Sequence, residues 1–115
     1  MLPLPVITGL GFITSIGHDR PAVLCSLREL RHGFERVEFF DNPNLPVKVA
    51  GTVKGFDFPT PNWRDWRWPD NFAVDRELLR GLAPHGVYAL CALQQALADA
   101  GLDAAQLTDG TTGLF

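Results

Sequence analysis

Cysteine is scarce in this chain of 115 residues: Cys25 and Cys91 are the two present, far apart and without a Cys or His at metal-ligand spacing. Neither a zinc site nor a disulfide framework follows from them. Long apolar runs are also missing. No segment approaches the ~18 residues that a membrane span requires, and Met1-Leu2-Pro3-Leu4-Pro5 lacks the basic start and unbroken apolar stretch of a signal peptide. The sequence therefore reads as cytoplasmic with no membrane span. Positive charge is in deficit, with 10 Lys and Arg against 13 Asp and Glu and a net charge of −3. Nucleic acid is an improbable partner on that balance, since phosphate neutralisation needs a clustered basic face. The nearest cluster, Arg28, Arg31 and Arg36, is interrupted by Glu29, Glu35 and Glu38 and reads as a solvated face. Internal repeats and low-complexity tracts are absent. What is present is a globular composition, 46% apolar and 20% charged, sufficient for one domain over residues 1–115.

Val6 to Ile16 opens with β-branched apolar residues and is punctuated by Gly9, Gly11 and Gly17. That pattern predicts a buried strand that lets another backbone approach closely. Asp19 as N-cap, Pro21 in the first turn, and Val23, Leu27 and Leu30 at i, i+4 and i+7 predict a helix that Gly33 closes. Glu38-Phe39-Phe40 reads as a short extended piece ended by the turn formers Asp41-Asn42-Pro43-Asn44. Val47, Val49 and Val53 mark a second strand with Gly51 as a bulge, and Lys48, Thr52 and Lys54 give it one wet face. Gly55 to Asn71 carries Pro59, Pro61 and Pro69 among Phe56, Phe58, Trp63, Trp66 and Trp68, which predicts an ordered excursion packed against something. From His85 to Ala100 the pattern is helical, with Ala89, Leu93, Ala96, Leu97 and Ala100 on one face. Gln94, Gln95 and Asp99 form the polar side, and Gly101 is the C-cap. Tyr88, Cys91 and Ala92 extend the apolar character, so this helix is expected to be buried on more than one side. Thr111 to Phe115 reads as the opening of a further strand. Strand, helix, strand, helix, strand predicts an α/β layered sheet.

Gly9-Leu10-Gly11 after a strand invites a dinucleotide-binding reading, but position 14 is Thr where the third glycine is needed, and Gly17 comes too late for that turn. Close strand packing is the better account of these glycines. A reactive thiol needs a helix N-terminus or a neighbouring cation and base; Cys25 and Cys91 both fall inside predicted helices, Cys91 between Leu90 and Ala92. His18, His32 and His85 lie at helix ends or in loops, with no pair at ligand spacing. Trp63, Trp66 and Trp68, interleaved with Arg64, Asp65 and Arg67, would suit a stacking platform, but tryptophans also anchor a proline-rich loop, which is the reading taken here.

Three phrases in fixed order carry a resemblance. They are Thr8-Gly9-Leu10-Gly11 with Thr14-Ser15-Ile16-Gly17, then Phe40-Asp41, Pro46 and Val47 to Phe56, then Tyr88-Ala89 with Ala96-Leu97-Ala98-Asp99-Ala100-Gly101-Leu102. Together they resemble the N-terminal segment of the β-ketoacyl-acyl-carrier-protein synthases, thiolase-like condensing enzymes of fatty-acid and polyketide synthesis. The resemblance implies the N-terminal portion of a thiolase-like layered α/β/α/β/α fold, incomplete in residues 1–115, and a homodimer or heterodimer that uses acyl carrier protein. It also implies acyl transfer to a Cys, decarboxylation of malonyl carrier protein and attack of the carbanion on the acyl thioester, with two His stabilising the enolate. In the family these groups lie C-terminal to the matched stretch. No catalytic, cofactor-binding or metal residue is therefore assigned, no cofactor is expected, and the segment alone is expected to be inactive and prone to association. Ala83, Pro84 and His85 stand where the family commonly has an acidic and a basic residue followed by Phe, and the excursion from Pro59 to Pro69 is also unlike it. Those departures keep a non-catalytic partner subunit of the chain-length-factor kind as an alternative. On residues alone, a nucleotide-binding oxidoreductase domain is the alternative of another class, followed by an interaction module built on the Trp loop.

Overall fold

Helix α1, Arg20–Arg28, begins where Asp19 caps it: the carboxylate accepts from the Ala22 amide at 2.8 Å, and Pro21, which has no N–H to satisfy, sits in the first turn. The computed structural model describes residues 2–113. At its other end α1 stops earlier than Gly33. Glu29 is the C-cap, Leu30 takes the left-handed conformation with φ 54°, and the Leu30 and Arg31 amides close back on the Leu27 and Ser26 carbonyls at 3.3 and 2.9 Å. This is the usual two-bond helix stop, made here with a leucine in the position that favours glycine. The inner face also differs from the expected Val23, Leu27 and Leu30. Val23 and Ser26 are buried, the Ser26 hydroxyl donating to the Ile16 carbonyl at 2.7 Å, while Leu27 and Leu30 are exposed.

The sheet is small. Strand β1, Phe34–Arg36, pairs antiparallel with β2, Val49–Gly51, in the register Phe34 to Gly51, Glu35 to Ala50 and Arg36 to Val49. Gly51 is a regular ladder partner and not a bulge. Glu38–Phe40 is a 3₁₀ turn, not an extended piece. The expected wet face holds only at its end, where Val53 is half-buried and Lys54 exposed; before it Val47 and Val49 are exposed, whereas Lys48 is half-buried and its ammonium donates to the Phe40 carbonyl at 3.2 Å.

Val6 to Ile16 is not a ladder strand. Its one β contact is the bridge between Thr14 and Gly17, and among the described residues the backbone of residues 4–9 has no hydrogen-bond partner. The reason is that among the described residues no other strand lies beside it; the segment instead runs along helix α2, Pro84–Ala100. Val6 and Ile7, expected to be buried, are exposed, Ile7 at 84%. The expected strand at Thr111 is also absent over residues 111–113, where the Asp109 carboxylate accepts from the Thr111 amide at 2.8 Å and turns the chain; positions 114 and 115 lie outside the described residues. Among the described residues the architecture is thus mixed α/β with few helices and one two-stranded sheet, not an alternating layered sheet.

Helix α2 starts with Pro84 in its first turn and ends at Gly101, φ 68°, where the Gly101 and Leu102 amides return to Ala98 and Leu97. Its fully buried residues are Val87 and Cys91, which join Trp66, Phe72 and Leu79 in the core. Ala89 and Leu93, expected on the buried face, are exposed. A short helix α3, Ala104–Leu107, follows, fixed by reciprocal capping between Asp103 and Gln106. The radius of gyration is 17.3 Å, where a compact domain of this length has about 13 Å. The accessible surface of 8869 Å² likewise exceeds the ~6200 Å² of a compact monomer of this mass.

Candidate functional site

The most constrained geometry in the molecule is the contact between the glycine segment and α2. A β-carbon on Gly9 would overlap the Ala96 carbonyl oxygen and lie 2.7 Å from the Ala100 nitrogen; one on Gly11 would overlap the Ala92 carbonyl oxygen, 2.8 Å from its carbon. Only glycine permits this approach. Polar side chains of the helix then hold the segment. Asp99 Oδ2 accepts from the Leu10 amide at 2.9 Å, Gln95 Oε1 accepts from the Phe12 amide at 3.0 Å, and Gln95 Nε2 donates to the His18 carbonyl. Leu10 and Phe12 are two apart, so their amides leave the same edge of an extended chain, and the two helix side chains take the place of a neighbouring strand. Gln95 and Asp99, expected on the polar side of α2, are therefore part of its docking face. This arrangement also removes the nucleotide reading. The atoms crowded against Gly9 and Gly11 include carbonyl oxygens, which repel a pyrophosphate, whereas a dinucleotide turn offers N–H groups.

Two of the three histidines, His18 before α1 and His32 after it, line one depression. A depression of about 470 Å³ is lined by Ser15 to Asp19, Ala22, Ser26, Arg31, His32 and Lys54. The His18 ring stands edge-on to Phe56 at 5.4 Å, and His32 Nδ1 accepts from the Phe34 amide at 3.3 Å. Arg31 is paired with Glu29 at 2.8 Å and Lys54 with Glu35. The hydrogen bonds from Lys54 and Thr52 hold the Glu35 carboxyl below its ordinary range. His85 is apart from them, exposed in the first turn of α2. Among the described residues no group of three or more His, Cys, Asp or Glu is placed to hold a metal ion.

The two thiols differ in their surroundings. Cys91 is 0% exposed, and burial pushes its thiol up to about 11, away from the thiolate. Cys25 is exposed, and its thiol donates to Glu29 Oε1 at 3.2 Å with Arg31 Nη2 3.5 Å from the sulfur.

The tryptophans are packing residues. Trp66 is 3% exposed and its indole donates to the Thr60 carbonyl at 2.8 Å; that of Trp68 donates to Phe72 at 3.2 Å. Phe58 meets Trp66 edge-on at 5.2 Å, Phe56 meets Tyr88 at 5.1 Å, and Arg64 and Arg76 cover the rings of Trp63 and Trp68 at 4.7 and 5.3 Å. Burial raises the Tyr88 phenol above its ordinary value. Ring faces occupied by neighbours and guanidinium groups do not form a base-stacking platform. Among the described residues no helix is long and apolar enough to cross a membrane.

Comparison with known proteins gives relatives of one kind. The chain is 35% identical over 109 residues to the 3-oxoacyl-acyl-carrier-protein synthase 1 of Haemophilus influenzae, a match that covers 95% of this chain and 24% of that protein. It is 34% identical over 97 residues to the Escherichia coli synthase 1, covering 84% of the chain and 21% of the relative. With the chloroplastic synthase II of Arabidopsis thaliana the identity is 32% over 97 residues, 84% of the chain and 16% of the relative. No family model matches. The chain thus spans about a quarter or less of the relatives it matches, and over most of its own length it is homologous to the N-terminal segment of the 3-oxoacyl-acyl-carrier-protein synthases 1 and 2.

Proposed function

We propose that this homologue of the synthase N-terminal segment is the scaffold portion of a β-ketoacyl-acyl-carrier-protein synthase. In that reading it belongs to a cytoplasmic acyltransferase that condenses malonyl carrier protein with an acyl thioester, works as a dimer and has acyl carrier protein as its partner. The observation that carries the reading is the extent of the similarity, which covers 95% of the chain and so includes the glycine segment, α1, the Trp loop and α2. The contribution of this segment is architectural. Its glycines fix the first extended segment on α2, and its thiols and imidazoles stand outside the chemistry.

The exposed surface is consistent with a thiolase-like layered fold around it. Val6 and Ile7 present an uncharged apolar edge, and Leu82, Gly86, Ala89, Leu90 and Leu93 line an apolar depression of about 260 Å³ along α2. Uncharged faces of this kind are the ones a packed interior covers at low cost, because no ion must be desolvated. In the proposed fold, further strands pair with residues 4–9 and a sheet covers the Leu90 and Leu93 side of α2.

Release of carbon dioxide from malonyl carrier protein, with an acyl donor present, tests the proposal in two arms. Residues 1–115 alone should give no turnover above a blank, and the native polypeptide that carries them should condense the two substrates. Turnover by residues 1–115 alone would refute the scaffold assignment. A native polypeptide that binds carrier protein without condensing would instead identify the non-catalytic partner subunit, an alternative favoured by the departure at Ala83, Pro84 and His85.

A further inference from the structure

We draw no further inference here: the strongest candidate, the depression at the start of α1 lined by His18, Arg31, His32 and Lys54, carries nothing because Arg31 and Lys54 are already ion-paired with Glu29 and Glu35 and Asp19 is engaged in capping its helix.

Discussion

Replacing Gly11 by Ala is the sharpest perturbation of the contact between the glycine segment and α2. The added methyl would overlap the Ala92 carbonyl oxygen and approach the Ala92 carbonyl carbon and the Ala96 nitrogen at 2.8 and 3.0 Å. All three are backbone atoms of a regular helix, so no side chain can swing aside, and the segment must lift away. Overpacking of this kind costs about 1–3 kcal/mol when the surroundings adjust. Lifting the segment also breaks the Phe12 amide bond to Gln95 and the Leu10 amide bond to Asp99, about 1 kcal/mol for the neutral acceptor and about 1.5–3 for the charged one, less at this exposed site. A total loss of about 3 kcal/mol is expected from these terms. Equilibrium urea unfolding followed by tryptophan fluorescence measures it, because Trp66 reports the core. Gly81, where a β-carbon meets nothing within 4 Å, is the control, and its Ala variant should stay within about 0.5 kcal/mol of the parent. A Gly11→Ala protein as stable as the Gly81→Ala control would refute the close approach.

Other consequences follow from single residues. Leu30→Gly should raise stability by about 1 kcal/mol, read as a higher Tm, because it relieves a left-handed leucine; no rise would mean that Leu30 makes a contact worth the strain. Gln95→Leu should cost about 2 kcal/mol in the same urea experiment by leaving the Phe12 amide and the His18 carbonyl without their partner, and an unchanged midpoint would remove Gln95 from the docking face. The raised Cys91 value gives a defined pH dependence. The unfolded thiol ionises near its ordinary 9.0 and the folded one at about 11, so the contribution is complete below pH 9 and is lost between pH 9 and pH 11 at up to about 1.4 kcal/mol per pH unit. A Cys91→Ala protein should lack that slope, and persistence of the same alkaline loss would assign it elsewhere. Iodide should quench the tryptophan emission poorly, with Trp66 the most protected, and ready quenching would contradict the packed loop.

Much of the local structure is legible in the sequence, because it depends on residues close to one another. Asp19 with Pro21 marks the start of α1, and Pro84 and Gly101 bracket α2, each through bonds made within a few residues. Proline and tryptophan in one stretch correctly indicate an ordered loop. Which face of an element is covered depends on what lies beside it, and periodicity carries no information on that. Leu27 and Leu30 therefore appear as core on spacing alone, while Ser26 is the residue that turns inward to bond the Ile16 carbonyl. Val6 to Ile16 has the composition of a strand, but a strand exists only when a partner edge is present. The short polar β1 gives almost no pattern to read. Gln95 and Asp99 were hidden for another reason: hydropathy ranks them as surface, whereas the amides of a glycine-rich segment need acceptors, and a helix lying across that segment supplies them from its polar residues.

The scaffold assignment is tested most directly by removing every thiol and imidazole of this segment at once. In the native polypeptide, Cys25, Cys91, His18, His32 and His85 would be changed to Ala together, and carbon dioxide release from malonyl carrier protein measured beside an unfolding curve that verifies folding. Condensation within a few-fold of the parent is expected, because the scaffold proposal places none of these groups at the reacting thioester. Loss of turnover in a variant that still unfolds cooperatively would show that catalytic chemistry resides in residues 1–115.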